Sequence, residues 1–278
     1  MEKTEGTGAD ATKRVMLTVA YDGTRYNGWQ IQPGGITIEG ELIRAIEELL
    51  GEKVTITGAS RTDAGVHSLC NKAVFDTKTR IPAEKLSYAL NRYLPEDIRI
   101  QASCLVAPDF HPRRVESSKT YEYRICNARF PDPTRRLYSY FTYRKLNVSA
   151  MKRAAAFLEG THDFAAFSTF KPEVSSTIRT IHRIEVEAEG ARIVIRVSGN
   201  GFLYHMVRII AGTLLEVGMG NMSPEDILDI LEKKDRNLAG PTAPALGLTM
   251  IKHTFLTDPA LPEETEAAAE PEEEKESL

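Results

Sequence analysis

The chain has 278 residues, of which 42% are hydrophobic and 27% are charged, and its formal net charge is −4 at pH 7. This composition is typical of a globular protein with one large domain or two modest ones. No run approaches the roughly 18 apolar residues of a membrane-spanning helix. The N-terminus lacks the apolar segment of a secretory signal, and three widely spaced cysteines argue against a disulfide framework. We therefore expect a cytoplasmic protein with reduced thiols and no membrane contact.

The charge is distributed unevenly along the chain. Residues 259–278 contain eight glutamates and one lysine, whereas residues 110–153 contain eleven Arg or Lys and three acids. A local basic excess suits a polyanionic partner, although an ordinary solvated basic face explains it equally well. The two ends of the chain offer little apolar surface to bury. We therefore expect residues 1–12 and the acidic tail 258–278 to be disordered.

The first half, residues 13–109, is predicted to alternate between strands and helices. Hydrophobic alternation and short apolar runs predict strands at 15–21, 54–58, 71–76 and 97–106. Helical spacing predicts a helix at 38–50 that Gly51 ends, and a second helix that Pro82 opens and Pro95 ends. The order β-α-β-β-α-β is that of a split βαβ, ferredoxin-like unit.

The second half, residues 110–257, repeats this order with one extra helix. We predict strands at 119–125, 180–188, 191–198 and 248–255, and helices at 148–158, 202–217 and 223–233. Ser223 is the expected N-cap of the last helix, with Pro224 at its first position. The sequence thus predicts an α+β protein of two ferredoxin-like halves. Their antiparallel sheets would lie side by side, and the cleft between them is a natural place for a substrate.

The most distinctive segment is the run at residues 58–67, Gly-Ala-Ser-Arg-Thr-Asp-Ala-Gly-Val-His. Its glycines permit sharp turns and close backbone approach, which indicates a loop between two strands. Arg61 and Asp63 are two residues apart, so the backbone must bend for both side chains to point the same way. On this pattern alone, a surface loop with an Arg–Asp ion pair is the ordinary interpretation.

Five further segments change that interpretation. They are residues 21–30 (Tyr-Asp-Gly-Thr-Arg-Tyr-Asn-Gly-Trp-Gln), 110–114 (Phe-His-Pro-Arg-Arg), 118–124 (Ser-Lys-Thr-Tyr-Glu-Tyr-Arg), 160–164 (Gly-Thr-His-Asp-Phe) and 202–208 (Phe-Leu-Tyr-His-Met-Val-Arg). With the 58–67 run, they resemble the TruA family of tRNA pseudouridine synthases, in the family's order, over about residues 15–255. The resemblance implies the pseudouridine synthase fold and an isomerase that needs no cofactor. It also implies a homodimer whose tRNA bridges both subunits, with target uridines at tRNA positions 38, 39 and 40 in the anticodon arm.

The resemblance also implies roles for individual residues. Asp63 matches the catalytic aspartate, Arg61 would position the target nucleotide, and Arg208 would pair with the aspartate. Tyr121 would stack on the target base, and a segment containing Leu246 and Leu248 would line the uracil pocket.

Three positions depart from the family pattern. Ser60 stands where glycine is usual, Ile209 where asparagine is common, and Thr249 where an aromatic residue is common. None of these removes a catalytic group. They leave open the loop geometry and the set of target uridines.

The reaction explains why so few groups are needed. It breaks the N1–C1′ bond and joins C5 to C1′, and the detached base itself becomes the nucleophile. One carboxylate can therefore suffice where glycosidases use two. The sequence leaves open whether that carboxylate attacks C1′ or the base.

A uridine in a stem or loop must also be flipped out of its stack, which requires contacts to phosphates. The basic candidates for these contacts are Arg113, Arg114, Lys119, Arg135, Arg136, Arg144 and Lys145. The six histidines show no His-Glu-x-x-His pattern, so we expect no catalytic metal.

Two other functions remain possible from the sequence. The first is a catalytically idle tRNA-binding or chaperone module on the same fold, although a retained Arg61, Asp63, Tyr121 and Arg208 would have no purpose there. The second is a ferredoxin-like module that binds single-stranded RNA. It would require an aromatic-rich strand motif that the chain lacks.

Overall fold

The strands of both halves belong to one sheet in the computed structural model, which describes residues 12–169 and 176–261. The elements of the first half are β1 (Lys13–Tyr21), α1 (Ile38–Leu50), β2 (Thr57–Gly58), β3 (His67–Thr77), α2 (Leu86–Leu90) and β4 (Ile98–Val106). The predicted helix at 38–50 is confirmed. Thr37 caps it by accepting a hydrogen bond from the Gly40 N–H, and Gly51 ends it with a φ of 69°.

The second half supplies the remaining strands and helices of the described residues. They are β5 (Ser117–Asn127), β6 (Tyr140–Thr142), α3 (Val148–Ala156), β7 (Gly160–Asp163), β8 (Ile178–Glu189), β9 (Arg192–Gly199), α4 (Met206–Gly218), α5 (Asp226–Lys233) and β10 (Leu248–Phe255). The short strands β6 and β7 have no counterpart in the sequence prediction. They add to the sheet by pairing with β5 and β8.

The two halves share one strand order. The strands follow the path β4-β1-β3-β10-β5-β9-β8-β7, with β2 paired to β3. Each half places its first strand between its last strand and its next-to-last strand: β1 between β4 and β3, and β5 between β10 and β9. The α+β class is confirmed, and the two expected sheets are joined into one. The join is a parallel pair between β10 and β3, in register at Thr249 with His67 and at Met250 with Ser68. The closing strand of the second half therefore lies in the middle of the sheet.

Several predicted boundaries were wrong. The helix expected at 202–217 begins at Met206, because His205 has a φ of 63° and cannot continue a right-handed helix. Ser223 does not cap α5 with its side chain. Its backbone N–H instead donates to the Asp226 carboxylate at 2.8 Å, and α5 begins at Asp226. The strand expected at 54–58 is limited to the two residues of β2.

Two large hydrophobic cores lie against the sheet, one in each half, and a small third cluster contains Met16 and Phe255. The first contains Trp29, Leu42 and Ile46 among its buried residues. The second, larger core also includes Val66, which comes from the first half of the chain. Burial of Val66 therefore anchors the loop between β2 and β3 in the core of the other half.

The first residues of the predicted acidic tail lie within the described part of the chain. Ala260 forms a β-bridge with Val106, and the Leu261 N–H donates to the Leu105 carbonyl at 2.9 Å. The rest of that tail, and residues 1–11 of the predicted N-terminal disorder, lie outside the described residues. In the ranges 12–169 and 176–261, no helix has the length and apolarity needed to cross a membrane.

His253 is a buried polar residue in the middle strand. Its side chain packs beside Phe255, with 4.9 Å between ring centroids, and neither ring nitrogen has a hydrogen-bond partner among the described residues. Burial, together with the nearby cations of Lys119 and Lys72, lowers the pKa of His253 to about 3. The folded protein therefore keeps this imidazole neutral at ordinary pH.

Stability should consequently fall as the pH decreases below the pKa of a histidine in the unfolded chain, about 6.5. Below that value the unfolded chain binds a proton that folded His253 excludes. We expect this one group to lower the free energy of unfolding by about 2 kcal/mol between pH 7 and pH 5. Urea unfolding at the two pH values measures the change.

His253→Leu should remove this part of the pH dependence. The matched control is His182→Leu, because His182 is exposed on β8. Equal pH dependence in the two variants would contradict the interpretation.

Candidate active site

The loop between β2 and β3, residues 59–66, is held against the segment that follows β1. The backbone N–H of Trp29 donates to the Thr62 carbonyl at 3.0 Å, and the Tyr21 hydroxyl lies 2.8 Å from the Thr62 hydroxyl. Gly28 has a φ of 85°, and a Cβ there would lie 2.6 Å from the Thr62 carbonyl oxygen. Only glycine permits this approach, so the 21–30 and 58–67 segments form one packing unit.

A tight turn presents the Asp63 side chain. The Val66 N–H donates to the Asp63 carbonyl at 3.1 Å, and Gly65, with a φ of 78°, donates its N–H to the Tyr26 carbonyl at 3.2 Å. Val66 then enters the core while Asp63 stays at the surface of the loop. The turn is thus fixed from both sides, by Tyr26 and by the buried Val66.

Asp63 forms an ion pair with Arg208, a residue of the other half. The Arg208 Nη1 donates to Asp63 Oδ2 at 3.0 Å, and the Arg208 Nε donates to the Ala243 carbonyl at 2.8 Å. Arg61 is exposed, and the ion pair expected from the loop pattern alone is formed by Arg208 instead. The side chains of Asp63 and Arg208 are only 15% and 16% exposed, so solvent screens their electrostatic attraction only weakly.

The N-terminal end of α4 adds further positive potential at this carboxylate. Arg208 is the third residue of α4, and the His205 Nε2 lies 3.5 Å from the same Asp63 oxygen. Unpaired N–H groups at a helix N-terminus favour a nearby anion. His205 keeps its left-handed backbone here, a conformation that costs about 1–3 kcal/mol in a non-glycine residue.

A cavity of about 320 Å³ opens beside Asp63 and is lined by both halves of the chain. Its lining includes Ser60, Arg61, Thr62, Asp63 and Val66 from the first half, and Arg113, Lys119, Tyr121, Phe202, His205, Arg208 and Leu248 from the second. Asp63 is the one carboxylate that the described residues contribute to that lining. The cavity therefore combines an anion, several cations and an apolar wall.

Tyr121 and Phe202 form the aromatic part of the wall. Their rings meet edge to face, with 5.3 Å between centroids. Tyr121 lies on β5 and is 8% exposed. Burial raises the pKa of Tyr121, and the charge of Asp63 adds to this, so the tyrosine keeps its proton at ordinary pH.

Of the predicted basic residues, Arg113 and Lys119 line the cavity. Burial and the nearby charges of Arg113 and Arg179 lower the pKa of Lys119 to about 8. The other predicted basic residues are exposed outside the cavity lining; they are Arg114, Arg135, Arg136, Arg144 and Lys145. Their predicted contact with RNA stays a prediction.

Leu246 lies outside the cavity, whereas Leu248 lines it. The Leu246 carbonyl is 3.3 Å from the His67 Nε2, and the Leu137 carbonyl is 3.1 Å from the same atom. The Gly23 N–H lies 3.1 Å from the His67 Nδ1. His67 thereby ties three separate segments together behind the site.

His205 and Phe202 were not predicted as site residues. Both belong to the 202–208 segment, whose composition indicated a helix, so only Arg208 was singled out. The signal that would have identified them is the aromatic start of that segment before its apolar run. Within residues 12–169 and 176–261, no group of three or more His, Cys, Asp or Glu side chains is arranged to hold a metal ion.

Comparison with known proteins gives one consistent family. The family described as tRNA pseudouridine synthase matches residues 17–113 and 154–255. "tRNA pseudouridine synthase A" of Thermoanaerobacter sp. (strain X514) is 48% identical over 240 residues, which cover 86% of this chain and 98% of that protein. The protein of the same name from Acetivibrio thermocellus is 45% identical over 240 residues, which again cover 86% of this chain and 98% of that protein.

A chain of a solved Cbf5–Nop10–Gar1 complex matches with a TM-score of 0.34 and 14% identity. The match covers 85% of this chain and 48% of that one, and the similarity is too low to support a conclusion.

The family match, which spans most of the chain, and the identities above 40% are decisive. The chain belongs to the tRNA pseudouridine synthase family and is an isomerase.

Proposed function

We propose that this chain converts uridine to pseudouridine in the anticodon arm of tRNA, at positions 38, 39 and 40, with Asp63 as the catalytic residue. The observation that carries the proposal is the Asp63 carboxylate, held by Arg208 at the wall of a cavity to which both halves contribute. The proposal needs no cofactor, because the base that leaves C1′ is also the base that returns to it.

The contacts of Asp63 are suited to this chemistry. Arg208 occupies one carboxylate oxygen, and no hydrogen bond to the other oxygen occurs in the described part of the chain. That oxygen can therefore approach the reacting carbon, either as a nucleophile or as a counter-charge for developing positive charge at C1′. The apolar ring of Tyr121 would stack on the detached uracil while it turns, and Leu248 would bound the same space.

The basic residues would supply contacts with the tRNA backbone. Arg61 and Arg113 lie at the exposed side of the cavity, and Lys119 lies deeper. A flipped nucleotide brings its own phosphates to such a rim, so these cations can hold it without reading sequence. The exposed cations outside the cavity would then contact the tRNA at a distance from the target. We also expect a cytoplasmic homodimer with tRNA bridging both subunits.

An idle tRNA-binding module on the same fold is less favourable. Binding of a polyanion gains nothing from a carboxylate at the centre of a basic cavity, since that charge repels phosphate. Moreover, the left-handed backbone of His205 has an energetic cost that binding alone would not require.

Asp63→Asn tests the assignment of the catalyst. The substitution keeps the size of the side chain and removes its charge, so the rate of pseudouridine formation should fall by more than about 10³-fold. The affinity for tRNA should stay within a few-fold, because Asp63 makes no favourable contact with phosphate. Single-turnover assays and filter binding measure the two effects.

The matched control is Asp229→Asn, because Asp229 is exposed on α5 and pairs only with Lys233 among the described residues. It should retain full activity. If Asp63→Asn converts uridine at the normal rate, Asp63 is not the catalyst.

The lowered pKa of Lys119 predicts a pH dependence. Above about pH 8 this lysine loses its charge in the free protein, so its attraction for phosphate disappears. We expect kcat/KM for tRNA to decline as the pH rises from 7 to 9. Lys119→Arg keeps its charge throughout this range and should remove the decline.

Lys145→Arg is the control, since Lys145 is exposed outside the cavity. This variant should decline with pH as the unaltered protein does. An unchanged decline in Lys119→Arg would show that another group titrates.

The target positions are tested by chemical mapping of pseudouridine in tRNA from cells that lack this protein, and in the same tRNA after incubation with the purified chain. Pseudouridine should be lost from positions 38, 39 and 40 and then restored. Restoration only outside the anticodon arm would contradict the position. Binding without any product would support the idle module.

A further inference from the structure

Ser60 carries a hydroxyl group whose environment is unusual for a loop residue. It lies directly before Arg61, is 7% exposed, and belongs to the lining of the cavity. Its Oγ is buried and has no hydrogen-bond partner of normal geometry among the described residues. A buried hydroxyl without a partner destabilises the fold, because its hydrogen bonds to water are lost without replacement.

The backbone of the loop does not require a serine at this position. The Ser60 carbonyl already accepts a hydrogen bond from the Asn71 Nδ2 at 2.9 Å, and the preceding Ala59 N–H donates to the Lys72 carbonyl at 2.7 Å. Ser60 also lacks a positive φ, so alanine would fit its conformation. The loop would thus be held equally well without the hydroxyl, and the cost of burying it indicates another use.

The group that the Ser60 hydroxyl can serve is the hydroxyl of Tyr121. Both residues line the cavity, and Lys119, which shares a face of β5 with Tyr121, places its Nζ 3.5 Å from the carbonyl of Ala59, the residue before Ser60. Burial raises the pKa of Tyr121, and the Ser60 hydroxyl acts in the opposite direction. No hydrogen bond to the Tyr121 hydroxyl occurs within residues 12–169 and 176–261. Tyr121 is otherwise held by its ring, which contacts Phe202 edge to face.

A substrate base would make this contact matter more. A uracil that fills the cavity excludes water from the Tyr121 hydroxyl, and a hydrogen bond in such a dry site is stronger than one in water. The Ser60 hydroxyl, which lines the same cavity and has no other partner among the described residues, can then satisfy the tyrosine oxygen.

We propose that Ser60 is a positioning residue for Tyr121. Its hydroxyl donates a hydrogen bond to the Tyr121 oxygen when the base occupies the cavity, and this fixes the direction in which the tyrosine O–H points at the uracil. The inference rests on the proposed function, since it assumes that a uracil binds beside Tyr121. It assigns a task to the position where this chain has serine and the TruA pattern usually has glycine.

A double-mutant cycle tests the pair. Ser60→Ala and Ser60→Thr are each made in the unaltered protein and in Tyr121→Phe, and single-turnover rates are measured at saturating tRNA. We expect Ser60→Ala to slow the reaction about tenfold with KM within about twofold, as loss of one hydrogen bond would do. Ser60→Thr restores a hydroxyl and should recover most of the rate. In Tyr121→Phe, Ser60→Ala should cause no further loss, because its partner is already gone.

Melting temperatures separate this role from a structural one. Ser60→Ala removes an unsatisfied hydroxyl, so its melting temperature should equal or exceed that of the unaltered protein. Equal losses of rate in the two backgrounds, full activity of Ser60→Ala, or a lowered melting temperature without rescue by threonine would each overturn the proposal. Absence of pseudouridine from the unaltered protein would instead contradict the proposed function, so the two failures are distinguishable.

Discussion

The ion pair between Asp63 and Arg208 connects the two halves of the chain, and the rest of the candidate active site depends on it. A partly buried ion pair is favourable only when its geometry is good and its remaining polar atoms are satisfied. Here the Nε of Arg208 bonds to Ala243, and the guanidinium is thereby oriented before it meets the carboxylate. Arg208 holds one oxygen of Asp63, so the orientation of the carboxylate is fixed. The other oxygen can make a further interaction.

The sheet explains why the site lies where the halves meet. The loop that carries Asp63 runs directly into β3, Leu248 begins β10, and Tyr121 lies on β5. These three strands are neighbours in the order β3-β10-β5. The strand that joins the halves therefore also brings the carboxylate, the aliphatic wall and the aromatic wall to one place. Burial of Val66 in the second core strengthens this join, because the loop cannot leave without exposing an apolar side chain.

Long, strongly periodic elements were predictable from the sequence. The helix at 38–50 and the strand at 248–255 have the expected bounds, since their apolar patterns and end signals agree. Predictions failed where distant contacts decide the outcome. The left-handed His205 delays the start of α4, and the two-residue β2 depends on pairing with β3. Of the residues assigned to the site by family resemblance, Asp63, Arg61, Arg208, Tyr121 and Leu248 line one cavity, whereas Leu246 does not.

The sequence by itself determined the α+β class, the order of the elements other than β6 and β7, and the family, because local periodicity and spaced motifs are properties of the linear chain. It also indicated that the glycines of the 58–67 run permit close backbone approach, although not what approaches them. The family resemblance implied that Arg208 pairs with Asp63, whereas only the tertiary structure decided how Ala243 orients Arg208 for that pair, and that the hydroxyl of Ser60 is buried in the cavity that Tyr121 also lines. Those facts depend on contacts between segments about 35 to 145 residues apart in the chain, and no local pattern encodes the partner of a side chain across that separation.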